Sequence, residues 1–106
     1  MKTPYAALAA VAFAAAIAAP ALAADETALA QKSGCLACHS VDGKIVGPAY
    51  KDVAAKYRGD KGAEARLIEK VEKGGSGVWG QVPMPPSSTV KPEDVKKLVD
   101  WILSLK

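Results

Sequence analysis

Cys35-Leu36-Ala37-Cys38-His39 is the stretch of this chain whose residue types and spacing point most directly to a chemistry. Two thiols about one helical turn apart can each add across one vinyl group of a haem, giving two thioether bonds. A histidine directly after the second thiol then projects its imidazole towards the iron from the same side. This is the pattern of c-type haem attachment. It assigns Cys35 and Cys38 to the macrocycle and His39 to the proximal axial position. Three other chemistries use a Cys-x-x-Cys pair. A redox dithiol usually sits in a βαβ setting, and nothing upstream reads as a strand. A structural zinc site usually takes four Cys or His ligands, whereas the whole chain holds two Cys and one His. A plain disulfide is the third. Haem attachment is the expectation, because the only His follows the only Cys pair.

A haem iron held by one histidine has a second axial position, and Pro83-Met84-Pro85-Pro86 offers a ligand for it. Pro85 pushes Met84 out of helical geometry into an extended one. The flanking prolines lower the freedom of the loop before folding. A stiff loop presenting one thioether suits a distal ligand, and Met/His ligation raises the potential of the iron. The alternative is a methionine used as core filler. The chain has two methionines and a single histidine, and Met1 stands at the extreme N-terminus. With the haem motif upstream, Met84 is the expected distal ligand.

These ligands need a scaffold and a compartment. Residues 1–23 carry one positive charge at Lys2, an uncharged alanine-rich run from Tyr5 to Ala19, a break at Pro20 and small residues at Ala21 and Ala23. That is the layout of a cleavable secretory signal peptide. The apolar run falls short of the ~20 residues that span a bilayer. A cut after Ala23 is expected, with the next bond as the alternative, leaving residues 24–106 as one small domain. Bacterial c-type haem is attached outside the cytoplasmic membrane, so the two signals agree on the periplasm. Without Lys2 the chain has 13 basic and 11 acidic residues, a net of +2. That balance is too weak to imply nucleic acid or an anionic membrane as a partner. A domain this small builds a thin core and usually needs a staple, a role an apolar, covalently held haem would fill.

The elements expected to position the site are all helical. Asp25 to Ser33 forms a short helix with acids in its first turn, Leu29 as its clearest core residue and Gly34 as its stop. Tyr50, Val53, Ala54 and Tyr57 recur at i, i+3, i+4 and i+7, one face of a second helix. Gly62 to Lys73 forms a third, with Leu67, Ile68 and Val71 on its apolar face, Glu69 and Lys73 as an i, i+4 pair and Gly74-Gly75 as its stop. Pro92 to Lys106 forms the last. Its face is Val95, Leu98, Val99, Ile102 and Leu105, broadened by Trp101 and Leu103, and it should pack across the first helix. Between them, Val46-Gly47-Pro48 either supplies a carbonyl to the second ring nitrogen of His39 or is a simple turn ahead of a helix. Arg58-Gly59-Asp60 reads as a turn, not as an adhesion motif. Trp79, alone in the glycine-rich 74–80 segment, is a core plug, a donor to a haem propionate, or both.

The stretches Gly34–His39, Val46–Ala54, Gly77–Gly80, Pro83–Pro86 and Trp101–Ser104 together resemble the class I bacterial monohaem cytochromes c of the cytochrome c-551 (cytochrome c8) family. The resemblance runs over nearly all of residues 24–106. It implies an all-α fold of four to five short helices wrapped around one covalent haem c. It implies that the Pro48 carbonyl accepts a hydrogen bond from His39, and that Trp79 and Lys70 address a haem propionate. Lys70 stands where related proteins often have arginine and Ser87 where they often have asparagine. The family are soluble electron shuttles between membrane cytochrome complexes and terminal reductases or oxidases. The resemblance therefore implies an electron carrier and not an enzyme, monomeric, without a membrane span after processing and with redox proteins as partners. A haem enzyme or gas sensor would need an open distal site, and Met84 argues against one. A fixed subunit of a larger oxidoreductase is the other alternative. Lys32, Lys44 and Lys51 are candidates for steering partners to the haem edge.

Overall fold

The computed structural model describes residues 24–106. The expected leader, residues 1–23, lies outside the described residues. Four α-helices form among the described residues: α1 (Thr27–Lys32), α2 (Tyr50–Lys56), α3 (Ala63–Lys73) and α4 (Pro92–Ser104), with a 3-10 turn at Cys35–Ala37 between α1 and α2. No strand occurs among the described residues; the sheet-like contacts are two isolated antiparallel bridges, His39 with Lys44 and Gly75 with Met84.

The starts of α1 and α4 are marked by residues suited to free helical N–H groups. Asp25 accepts from the Thr27 backbone N–H at 2.9 Å and from the Thr27 hydroxyl at 2.6 Å, and these bonds hold its carboxyl below the usual carboxylate range. Pro92 occupies the first turn of α4, with Glu93 and Asp94 beside it, where a missing N–H costs nothing and negative charge meets the helix dipole. The Arg58-Gly59-Asp60 stretch is a turn, as expected. Asp60 accepts from the Gly62 N–H at 3.0 Å and pairs with Arg66, and Arg58 Nη2 donates to the Leu105 carbonyl at 3.4 Å.

Helix α4 is the hub, touching α1, α2 and α3. Its Val95, Leu98, Val99, Trp101 and Ile102 are buried, each large side chain contributing about 1.5–3 kcal/mol relative to exposure. Leu98, Trp101 and Ile102 form one cluster with Ala30 of α1 and with Tyr50 and Val53 of α2. Leu103 and Leu105, expected on or beside this face, are only half-buried, because the helix ends at Ser104 and Leu105 is already extended. In α1 the buried residue is Ala30, not Leu29, which packs half-exposed at the edge of the cluster. The smallest side chain faces α4, so the short helix lies close against it. The Glu69–Lys73 pair forms at 3.1 Å. Helix α3 keeps Leu67, Ile68 and Val71 only half-buried. Two of these, Leu67 and Val71, line a cavity between α3, α4 and the loops; that cavity is the reason their face is not closed by protein.

Candidate functional site

The cavity has a volume of about 340 Å³, within the range of cofactor sites. Cys35, Cys38, His39, Pro48, Lys70, Trp79 and Met84 all line it, so the residues expected to attach, ligate or orient a haem reach one place. Apolar side chains from three helices, among them Val53, Leu67 and Leu98, complete the wall.

The 3-10 turn carries the thiols. Cys38 and His39 both donate backbone N–H groups to the Cys35 carbonyl, at 3.2 and 2.9 Å, so the three residues leave one tight turn together. Both cysteines are half-buried and border the cavity. Burial pushes the Cys35 thiol above its ordinary range, while the neighbouring Tyr50 hydroxyl pulls it down. The same burial, with Cys35 beside it, raises Tyr50 strongly, so its phenol stays protonated.

His39 is held on several sides. Its Nδ1 lies 2.8 Å from the Pro48 carbonyl oxygen. A carbonyl only accepts, so Nδ1 carries the proton and Nε2 keeps its lone pair free for a metal. The loop that presents Pro48 is tied back to the turn by Val46 and Gly47 N–H groups donating to the Cys38 carbonyl at 3.2 and 2.7 Å. The Tyr50 ring stacks on the imidazole at 5.0 Å between centroids and 22° between planes, and Trp101 meets Tyr50 edge-on at 5.6 Å. Gly47 completes the enclosure. A Cβ there would lie 2.5 Å from His39 Cε1 and 2.9 Å from Nδ1. Sequence reasoning placed Gly47 only in a turn; the sole hint was its position beside Pro48.

Met84 reaches the cavity from the other loop. Its backbone pairs with Gly75 in both directions, Met84 N–H to the Gly75 carbonyl at 2.8 Å and Gly75 N–H to the Met84 carbonyl at 3.0 Å. Gly74-Gly75 is thus more than a helix stop. Ser87 donates its N–H to the Val71 carbonyl at 2.9 Å and does not itself line the cavity.

Trp79 is 41% exposed, so it is not a core plug; it borders the cavity mouth, with Lys56 Nζ 5.7 Å from its ring centroid. That separation is within cation–π reach. Lys70 lies over Gly75, close enough that a Cβ there would come 2.7 Å from its Nζ. Of the three candidate steering lysines only Lys44 borders the cavity. Lys51 is paired with Asp42 at 2.5 Å, and Lys32 is exposed on α1.

This donor set tests well against a c-type haem. Two thiols, an imidazole of fixed tautomer and a soft thioether line one apolar cavity. A zinc cage is disfavoured, since no group of three or more His, Cys, Asp and Glu side chains converges among the described residues.

Comparison with known proteins agrees. The family described as Cytochrome c matches residues 23–106. Cytochrome c-551 of Allochromatium vinosum is 62% identical over 95 residues, covering 90% of this chain and 100% of that protein. Cytochrome c-551 of Pseudomonas aeruginosa is 48% identical over 103 residues, covering 97% and 98%. The crystal structure of Nitrosomonas europaea cytochrome c552 superposes with a TM-score of 0.72 at 54% identity, covering 74% of this chain and 98% of that one. The chain belongs to the cytochrome c family, as a class I monohaem electron carrier of the c-551 kind and not an enzyme, with haem c joined covalently through Cys35 and Cys38.

Proposed function

We propose that the protein is a periplasmic, monomeric one-electron shuttle whose haem iron is ligated by His39 and Met84. The observation that carries this reading is that both side chains border the same cavity and each is held in place: the His39 ring by the Pro48 carbonyl, and the Met84 backbone by Gly75. When bound, haem c supplies an iron that changes oxidation state by one electron. The chain's own residues do the rest. Cys35 and Cys38 hold the macrocycle, His39 offers Nε2, and Met84 offers its sulfur. Fixed ligands keep the coordination alike in both oxidation states, which lowers the reorganisation that electron exchange costs. They also leave no position for a substrate.

Trp79 and Lys70 are suited to address a propionate, with an indole N–H and an ammonium at the same cavity. The four-carbon stem of lysine gives a point charge, not the planar fork of arginine. The leader-like residues 1–23 support export, and among the described residues no helix is long and apolar enough to cross a membrane. A membrane cytochrome complex as donor and a terminal reductase or oxidase as acceptor suit such a shuttle. The test is the Met84→Ala variant. It should lose the weak red charge-transfer band of sulfur–ferric iron ligation, its potential should fall, and its reduced form should bind carbon monoxide readily where the wild type binds it poorly. Unchanged spectrum and potential would place the distal ligand elsewhere.

A further inference from the structure

We propose that Gly74 is a positioning residue for the Met84 sulfur. It lets the end of α3 close onto the Pro83–Pro86 loop, and the resulting backbone clamp holds the thioether on the iron. This inference rests on Met84 being the distal ligand.

Three observations carry it. The Met84 backbone is paired on both its N–H and its carbonyl with Gly75, at 2.8 and 3.0 Å. The loop is closed a second time by Ser87 N–H on the Val71 carbonyl of α3, at 2.9 Å. Between these two ties stands Gly74, where a Cβ would fall on the Met84 carbonyl oxygen, 2.9 Å from Pro86 N and 3.0 Å from Pro85 C. All three obstacles are backbone atoms, two of them in proline-restricted residues, so none can swing aside. The φ of +72° at Gly74 adds a conformational demand for glycine. Gly75 differs, since the three atoms nearest a Cβ there all belong to the Lys70 side chain, whose end is flexible.

The consequence follows from the length of methionine. With its backbone clamped, only the side-chain torsions separate Met84 from the iron. Ordinary contact distances begin near 3.5 Å, so a methyl group at position 74 displaces the loop by roughly 1 Å. That exceeds the ~0.5 Å within which a ligand set must be held. Relief comes by breaking the Gly75–Met84 pair, which frees the sulfur to leave.

The experiment compares four ferric holoproteins and their reduced forms with carbon monoxide: wild type, Gly74→Ala, Gly59→Ala and Met84→Ala. Gly59 has a similar φ of +81° but nothing within 4 Å of its Cβ position, so its variant controls for a methyl group at positive φ without a steric obstacle. Gly74→Ala should lose most of the red band and bind carbon monoxide at least tenfold faster than wild type, approaching Met84→Ala. Gly59→Ala should keep the wild-type band and rate. A wild-type band and rate in Gly74→Ala would overturn the inference. Retention of the band in Met84→Ala would instead overturn the ligand assignment on which it rests. Should Gly74→Ala fail to fold, amide exchange in the wild-type holoprotein decides. Strong protection of the Gly75 and Met84 amides supports the clamp, and exchange at unstructured-peptide rates refutes it.

Discussion

Replacing Gly47 by alanine inserts one methyl group against the face of His39. The new Cβ would lie 2.5 Å from Cε1, 2.9 Å from Nδ1 and 3.0 Å from Nε2. Carbon atoms in good contact sit about 3.5–4.0 Å apart, so the ring or the loop must yield by roughly 1 Å. The imidazole has little room to yield, because Tyr50 stacks against it and Nδ1 is bonded to Pro48 at 2.8 Å. Moving the ring by that amount stretches the bond beyond hydrogen-bonding range. Overpacking or an orphaned buried donor costs about 1–3 kcal/mol each; with the two partly exclusive, about 2–4 kcal/mol is lost. Alanine also lowers the entropy of the unfolded chain, which returns about 0.4–1 kcal/mol. The net loss is about 1–3.6 kcal/mol, or roughly 5–25 °C in Tm for a domain of this size. Losing the Pro48 bond also makes the imidazole a poorer donor to iron, so the reduction potential should rise. Gly43→Ala is the control, since its Cβ position meets nothing within 4 Å; it should be neutral or slightly stabilising. Thermal unfolding followed in the haem band, with redox titration, makes the comparison. Equal Tm values for the two variants and an unchanged potential would refute the packing argument.

Three further outcomes are expected. Cys35→Ala should leave a single thioether and a less stable holoprotein, and a variant lacking both cysteines should surrender its haem to acid–acetone; retention would contradict the attachment assignment. Intact mass after periplasmic expression should show a chain starting at Ala24 or Asp25 with one covalent haem, and a mass matching all 106 residues would contradict the leader assignment. The Arg66 guanidinium and the Gly62 N–H hold the Asp60 carboxyl below its ordinary range. A lowered folded value means stability that is complete above about pH 4 and drains away as pH falls through it. Urea unfolding between pH 2 and pH 5 should therefore show a flatter pH dependence for Asp60→Asn than for wild type, and parallel curves would remove the pair from the account.

The parts of this molecule that sequence makes legible are those whose chemistry is local. Haem attachment requires two thiols and an imidazole within five residues, and nothing distant alters that requirement. Helices α2 and α4 show their buried faces through periodicity, and Tyr50, Val53, Leu98 and Ile102 meet in one cluster. Leu29 misled because hydrophobicity predicts what gains by burial, not how closely two helices approach; α1 turns Ala30 to the core. For Trp79 the sequence left a core plug and a haem-side role both open, and its partial exposure at the cavity mouth removes only the first. Gly47 and Gly74 were hidden for another reason. Each acts by a volume it leaves empty for a partner in another segment, His39 or the Met84 loop, and only the folded chain shows which partner that is. The Pro48 carbonyl sits between these cases: spacing allowed either a ligand contact or a plain turn, and the 2.8 Å approach of Nδ1 decides for the contact.

A spectroelectrochemical titration of the holoprotein, run with and without carbon monoxide and with no substrate present, tests the carrier account most directly. Two ligands that stay in place in both oxidation states predict one reversible transition, with isosbestic points and a slope of about 59 mV per tenfold change in the ratio of oxidised to reduced protein. Carbon monoxide binds reduced haem, so by linkage it raises the potential of any iron that it can reach. With His39 and Met84 both ligated, the midpoint should be the same in its presence and absence. A midpoint that climbs under carbon monoxide, or a titration that splits or shows hysteresis, would contradict the filled coordination sphere on which the account depends.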